Sequence, residues 1–119
     1  MIVQRIYLAG PYSHALDEVR QERFEALTVE AARLMALGHQ VYSPITHGHV
    51  LAKAGDLPTS WRYWEETCKG FILDWADQMA VLTLDGWRES VGVTAEMRLA
   101  RMCGKPIFFL MQHVKEALS

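Results

Sequence analysis

Four short apolar runs alternate with segments of helical periodicity, and this alternation narrows the possible folds more than any other feature. The runs are residues 2–9, 40–43, 79–84 and 107–110, rich in β-branched and aromatic side chains. Strands that take turns with helices build a parallel sheet with helices on its faces. Right-handed crossovers bring the strand-to-helix loops to the carboxyl edge of that sheet, where open α/β sheets bind their ligands. The expected fold is one three-layer α/β domain over residues 1–119, Rossmann- or flavodoxin-like, with four to five parallel strands and helices on both faces. At 119 residues, half of them hydrophobic, the chain can bury a core without metals or disulfides.

The first helix is expected to start from a cap at Ser13 or Asp17 and run to residue 37, with Phe24, Leu27, Ala31 and Leu34 on one stripe and Gly38 as its stop. Pro44 ends the second strand. Residues 45–58 read as a loop, with at most a helical turn over 50–54. Thr59 or Ser60 caps a second helix reaching residue 75. Asp85-Gly86 breaks the third strand, Ser90 opens a third helix over 91–103, and residues 113–118 read as a short last helix. The segments facing the carboxyl edge are then 10–14, 44–49 and 85–92.

Composition excludes several classes of partner. The net charge is −2 with acids and bases interspersed, which argues against a stable nucleic-acid partner. Cys68 and Cys103 lie in helical segments without a CxxC pair, so neither a structural zinc nor a disulfide framework is expected, and no cofactor is implied. A cytoplasmic protein without a membrane partner is expected, because the start of the chain lacks the features of a signal peptide and no apolar stretch approaches a bilayer span.

One acidic residue stands on an unexpected face. On the third helix Gly92, Val93, Leu99, Ala100 and Cys103 form a small or apolar side, and Glu96 lies among them. An unpaired carboxylate there costs several kcal/mol, so it needs a partner or a purpose. Periodicity leaves open a Glu that reaches solvent or an Arg, and a Glu that works in a cleft. Ser90 is a natural N-cap whose hydroxyl, with the free N–H groups of the first turn, suits a phosphate, and Gly92 would let a ligand approach the backbone; a plain cap and a tight turn explain both equally. Arg20, one turn before Phe24, could pair a phosphate or Glu96, or sit on the surface. His47 and His49 fall on one side of an extended loop and would need a third ligand to hold a metal. Trp61, Trp64 and Trp87 could stack on a base or fill core.

These residues resemble the nucleoside 2-deoxyribosyltransferase-like superfamily. The resemblance rests on residues 6–13, where Ile6 leads YLAGPYS, and on residues 90–106, SVGVTAEMRLARMCGKP. The subgroup it resembles most is a bacterial and phage domain of unknown function, DUF1937, through Tyr12-Ser13-His14, Ser43-Pro44-Ile45-Thr46-His47 and the stretch from Gly86-Trp87 to Ser90 and Gly92. The resemblance covers nearly the whole chain. It implies N-glycoside chemistry: Glu96 as nucleophile at the anomeric carbon, a covalent glycosyl-enzyme resolved by water or a second base, and Tyr7 hydrogen-bonded to that nucleophile. Gly10 would let sugar or base lie on backbone. Tyr12, His14, Arg20, His47 and Trp64 join Ser90 and Gly92 as expected substrate contacts. In the superfamily a Ser six residues before the Glu marks hydrolases of nucleoside monophosphates, and Asp marks transferases acting on free nucleosides; Ser90 resembles the former.

The pattern also departs from the family. Where many members carry an Asp that protonates the leaving base, counting back from Asp77 reaches Lys69. Glu65, Glu66 or His47 could substitute, and Asp77, at the amino end of the third strand, reads as structural. The expected function is therefore an N-glycosidase of (deoxy)nucleoside 5′-monophosphates or a deoxyribosyltransferase. The alternative is a non-enzymatic nucleotide-binding or sensing domain that keeps the pocket. A receiver-like interaction module lacks the acidic pocket it would need. The six methionines and four tryptophans suggest apolar surface covered in a homo-oligomer, which is also usual in the superfamily.

Overall fold

The structure, a computed structural model, describes residues 2–112; the helix expected over 113–118 lies outside them. In chain order the elements are β1 (Arg5–Ala9), α1 (Asp17–Ala36), β2 (Gln40–Tyr42), α2 (Pro44–Gly55), α3 (Trp61–Gly70), β3 (Gln78–Leu82), α4 (Val91–Met102) and β4 (Ile107–Leu110). The four strands form one all-parallel sheet in the order β2-β1-β3-β4. The chain moves outward from β1 to β2, then crosses back to β3 on the other side of β1. The carboxyl ends of β1 and β3 therefore flank the point where strand order reverses, the position at which such sheets hold ligands.

Alternation along the strands divides the core between two faces. Ile6, Leu8, Ala80 and Leu82 point to one side and pack on Leu27, Ala31 and Leu34 of α1. Tyr7, Ala9, Met79 and Val81 point to the other and pack on Cys68 and Ile72 below and on Val93, Met97 and Ala100 of α4. The sheet is thus covered by helices on both faces, and the four strands agree with the expectation. Where α3 ends, the chain makes a π-helical turn over Phe71–Trp75, and Lys105 Nζ donates to the carbonyls of Ile72 and Leu73 at 2.6 and 2.9 Å. Asp77 holds the amino end of the sheet, accepting from the Arg5 amide at 2.8 Å and pairing with its guanidinium at 3.0 Å.

Two local expectations need correction. The segment after β2 is not a loop but the twelve-residue α2. Pro44 occupies its first turn, where the missing N–H is no loss, and Ser43 caps it by accepting from the Thr46 amide at 3.2 Å. Neither Ser13 nor Asp17 caps α1; Leu16 stands at that position without a side-chain cap. The loop before it is organised by His14, whose Nδ1 accepts from the Leu16 amide at 3.0 Å.

Candidate functional site

The site is assembled from the carboxyl ends of β1 and β3 and from the starts of the helices around them. Ser90 is extended and its hydroxyl oxygen accepts from the Val93 amide at 3.2 Å, so α4 starts here with a filled cap. From that start, Val93, Met97 and Ala100 point into the core. Glu96, three residues after Val93 and four before Ala100, points inward with them and is only 4% exposed.

Tyr7, fully buried on β1, donates its hydroxyl hydrogen to Glu96 Oε2. Burial pushes the Glu96 carboxyl up to about 8, with the Tyr7 hydrogen bond acting in the opposite direction. Burial, followed by the charge of Glu96, holds the Tyr7 phenol well above its ordinary value. Cys68 on α3 completes this floor, and burial, with Glu96 adding, pushes its thiol up to about 12. Among the described residues no ion pair involves Glu96. The carboxyl is therefore desolvated and supported by one phenol.

Above this floor opens a cavity of about 570 Å³, within the size range of small-molecule sites. Its walls come from the β1–α1 loop, the first half of α2, the start of α3 and the start of α4. Trp61 and Trp64 supply aromatic surface, and Arg62 is the one Arg or Lys among the lining residues. Glu89 is the second carboxylate on the wall and is exposed. The loops are fastened by Arg23 on α1. Its guanidinium donates to the carbonyls of Tyr12 at 3.4 Å, Ser13 at 2.9 Å and Asp85 at 2.9 Å, tying the β1–α1 loop to the β3–α4 loop.

Six of the residues expected from sequence meet here: Gly10, Tyr12, Trp64, Ser90, Gly92 and Glu96 line the cavity, with Tyr7 bonded beneath Glu96. Three do not line it. His14 is engaged with the backbone of its own loop. Arg20 donates to the His14 carbonyl and pairs with Asp17 at 3.2 Å, so its guanidinium closes the start of α1 rather than reaching Glu96. His47 packs beside Tyr42. On a helix, residues two apart point about 200° away from each other, so the two histidines of α2 separate and His49 takes the cavity side. Gly10 serves the packing as well as the wall: a Cβ there would lie 2.7 Å from Leu27 Cδ2 in the core. A Cβ on Gly92 would meet nothing closer than 3.7 Å, and it would stand 3.9 Å from Glu96 Oε1, the carboxyl oxygen that Tyr7 does not hold.

Lys69 does not line the cavity and lies 3.6 Å from Glu66; Glu65 and Glu66 do not line it either. Sequence reasoning left Cys68, Arg62 and Glu89 out of the site and considered His49 only as a metal ligand beside His47. His49 is 5% exposed, with Tyr12 Oη 2.7 Å from its Nδ1 and Gln21 Oε1 3.0 Å from its Nε2. Among the described residues no group of three His, Cys, Asp or Glu side chains is arranged to hold a metal, and no helix is long and apolar enough to cross a membrane.

Residues 4–112 match the family described as a domain of unknown function, DUF1937. No curated protein matches the sequence. Among solved structures, a 2-deoxyribosyltransferase from the psychrotolerant bacterium Bacillus psychrosaccharolyticus is similar with a TM-score of 0.58 and 23% identity, over 93% of this chain and 77% of that one. The similarity establishes a shared fold.

Proposed function

The chain belongs to the DUF1937 family, and we propose that it cleaves or transfers the N-glycosidic bond of a nucleoside 5′-monophosphate, with Glu96 as nucleophile. The observation that carries this reading is Glu96 itself: a carboxyl on a cavity floor that, among the described residues, pairs with no cation and is bonded only to Tyr7. A structural glutamate gains nothing from that position. A nucleophile does, because a poorly solvated carboxylate is reactive and stabilises the positive charge that develops at the sugar carbon. The 2-deoxyribosyltransferase with the same fold is consistent with such a substrate.

In the first step Glu96 Oε1, in the ionised form, bonds to the anomeric carbon. The carbon–nitrogen bond breaks, its electron pair leaves with the base, and the base nitrogen takes up a proton. In the second step water or another base nitrogen attacks the same carbon and frees Glu96. Tyr7 keeps Oε2 engaged and so leaves Oε1 to react. Gly92 leaves room in front of Oε1 for the sugar. A phosphate fits the start of α4, where the Ser90 hydroxyl still has its hydrogen to donate and first-turn N–H groups are available, with Arg62 also on the cavity wall. Glu89, the other carboxylate on the wall, is exposed, so the departing base takes its proton from water.

A second reading keeps the pocket without the reaction. It is favoured by Lys69, which stands away from the cavity where an acid was expected, and by a Glu96 that holds its proton near neutrality. Incubation with a panel of ribo- and deoxyribonucleoside 5′-monophosphates, followed by chromatography for free base, separates the two. Base release by the wild type, lowered by three or more orders of magnitude in Glu96→Gln, supports the enzyme. Thermal stabilisation of both proteins by one nucleotide without base release supports the binding domain.

A further inference from the structure

A chain of hydrogen bonds runs from the cavity wall to the surface of α1, and its outer end determines its direction. Gln21 Nε2 lies 3.1 Å from Glu25 Oε1, and Gln21 Oε1 lies 3.3 Å from Lys53 Nζ. A carboxylate only accepts and an ammonium only donates. Turning the amide over would set its NH2 against the ammonium and its oxygen against the carboxylate, so the carbonyl oxygen faces Lys53 and His49. His49 Nε2, 3.0 Å from that oxygen, must carry a hydrogen. The ring is buried, and burial followed by the charge of Lys53 disfavours a second proton. Nδ1 is therefore a bare acceptor, and Tyr12 Oη at 2.7 Å must donate to it. Turning the imidazole over would put a carbon in place of each nitrogen and lose both hydrogen bonds, and the ring is stacked on Phe24 with centroids 4.0 Å apart and planes 20° apart.

We infer that Tyr12 is a specificity-determining residue of the cavity. Its proton is committed to His49, so its oxygen accepts a hydrogen bond from an N–H or O–H of the occupant and disfavours a carbonyl in that position. On the nucleoside reading, on which this ligand class rests, the donor is an amino group of the base or a hydroxyl of the sugar. The selection does not come from Tyr12 alone, since a free hydroxyl rotates to suit either partner. It comes from Gln21, a residue of α1 outside the cavity lining, acting through His49.

The test has a part that needs no ligand. Long-range proton–nitrogen correlation spectra of the histidine rings should find His49 protonated at Nε2 and bare at Nδ1; protonation at Nδ1 overturns the inference. The second part measures binding of matched nucleoside 5′-monophosphates: adenine against unsubstituted purine, cytosine against uracil, and ribose against 2′-deoxyribose. In the wild type one matched pair should favour the donor-bearing member by about tenfold or more, and the pair identifies base or sugar as the source. Tyr12→Phe and Gln21→Leu should each shrink that preference to about threefold or less; Gln21→Leu leaves the wall intact and removes only the constraint on direction. A preference that survives both substitutions, or a wild type that favours the member without the donor, overturns the inference. If no nucleotide binds, the nucleoside reading falls and this ligand class with it, while the ring spectra still decide the direction of the chain.

Discussion

Replacing Glu96 by Gln should stabilise the protein, by an amount that grows with pH. The wild-type carboxyl is lifted from 4.5 to about 8 by burial, so between those values the folded protein holds a proton that the unfolded chain has released. Stability is fully present below the lower value and is lost as pH rises through the upper one. At about 1.4 kcal/mol per tenfold, the loss is about 1 kcal/mol at pH 5, about 3 at pH 7 and about 5 at pH 9. Gln has nearly the same shape, carries no charge, and its amide oxygen can accept from Tyr7, so the variant escapes the loss. Urea unfolding of both proteins at these three pH values, compared as differences, cancels every other titrating group. The gap between the curves should open by about 4 kcal/mol from pH 5 to pH 9, about 15 °C in melting temperature for a domain of this size. A gap that stays constant with pH would mean an ordinary, hydrated carboxyl, and the argument for a desolvated nucleophile would fail with it.

Four further outcomes are expected. The kcat/KM for base release should rise with pH and level off above about 8, and Tyr7→Phe, which removes the bond that eases ionisation, should move the inflection to higher pH. Gly10→Ala should cost about 1–3 kcal/mol in chemical denaturation, because the new methyl lies 2.7 Å from a core leucine with no room to yield. Gly86→Ala should cost about 1–3 kcal/mol and lower activity, since φ is +90° there and the methyl would meet Arg23 Nη2 at 2.8 Å. Light scattering should give twice the 13.6 kDa chain mass, because edge strand β4 presents Phe108 and Phe109, each 51% exposed among the described residues; a monomer would refute this.

Much of this architecture was legible because it depends on periods and caps. Apolar runs place the four strands, and the inward phase of α4 singles out Glu96 from sequence alone. Ser90 was legible for the same reason, since a cap acts within one turn. The helix α2 was not. Pro44 has the same chemistry whether it ends a strand or starts a helix, and Gly48 and Gly55 weaken helical periodicity. What decides the matter is tertiary: Gly48 sits against Trp64, with the position of its missing Cβ 3.6 Å from the indole. With α2 misread, His49 is paired with His47 as a metal ligand rather than placed on the cavity wall, because its partners Tyr12, Gln21 and Phe24 lie 25 to 37 residues earlier in the chain. Arg20 differs for another reason: its place on the inward stripe is legible, but the carbonyl of His14 and the carboxylate of Asp17 lie nearer than Glu96 and take its guanidinium.

The Arg23 clasp bears on how this site can be redesigned. All three of its acceptors are main-chain carbonyls, so it grips the two loops without regard to the side chains they carry. Tyr12, Ser13 and Asp85 can be randomised together while the scaffold keeps its bracing. Of the three, Tyr12 and Ser13 line the cavity, so a library confined to these positions would vary the chemistry of the wall on an unchanged frame. One that also varied Arg23 or Gly86 would vary the frame itself, and its inactive members would reveal nothing about recognition.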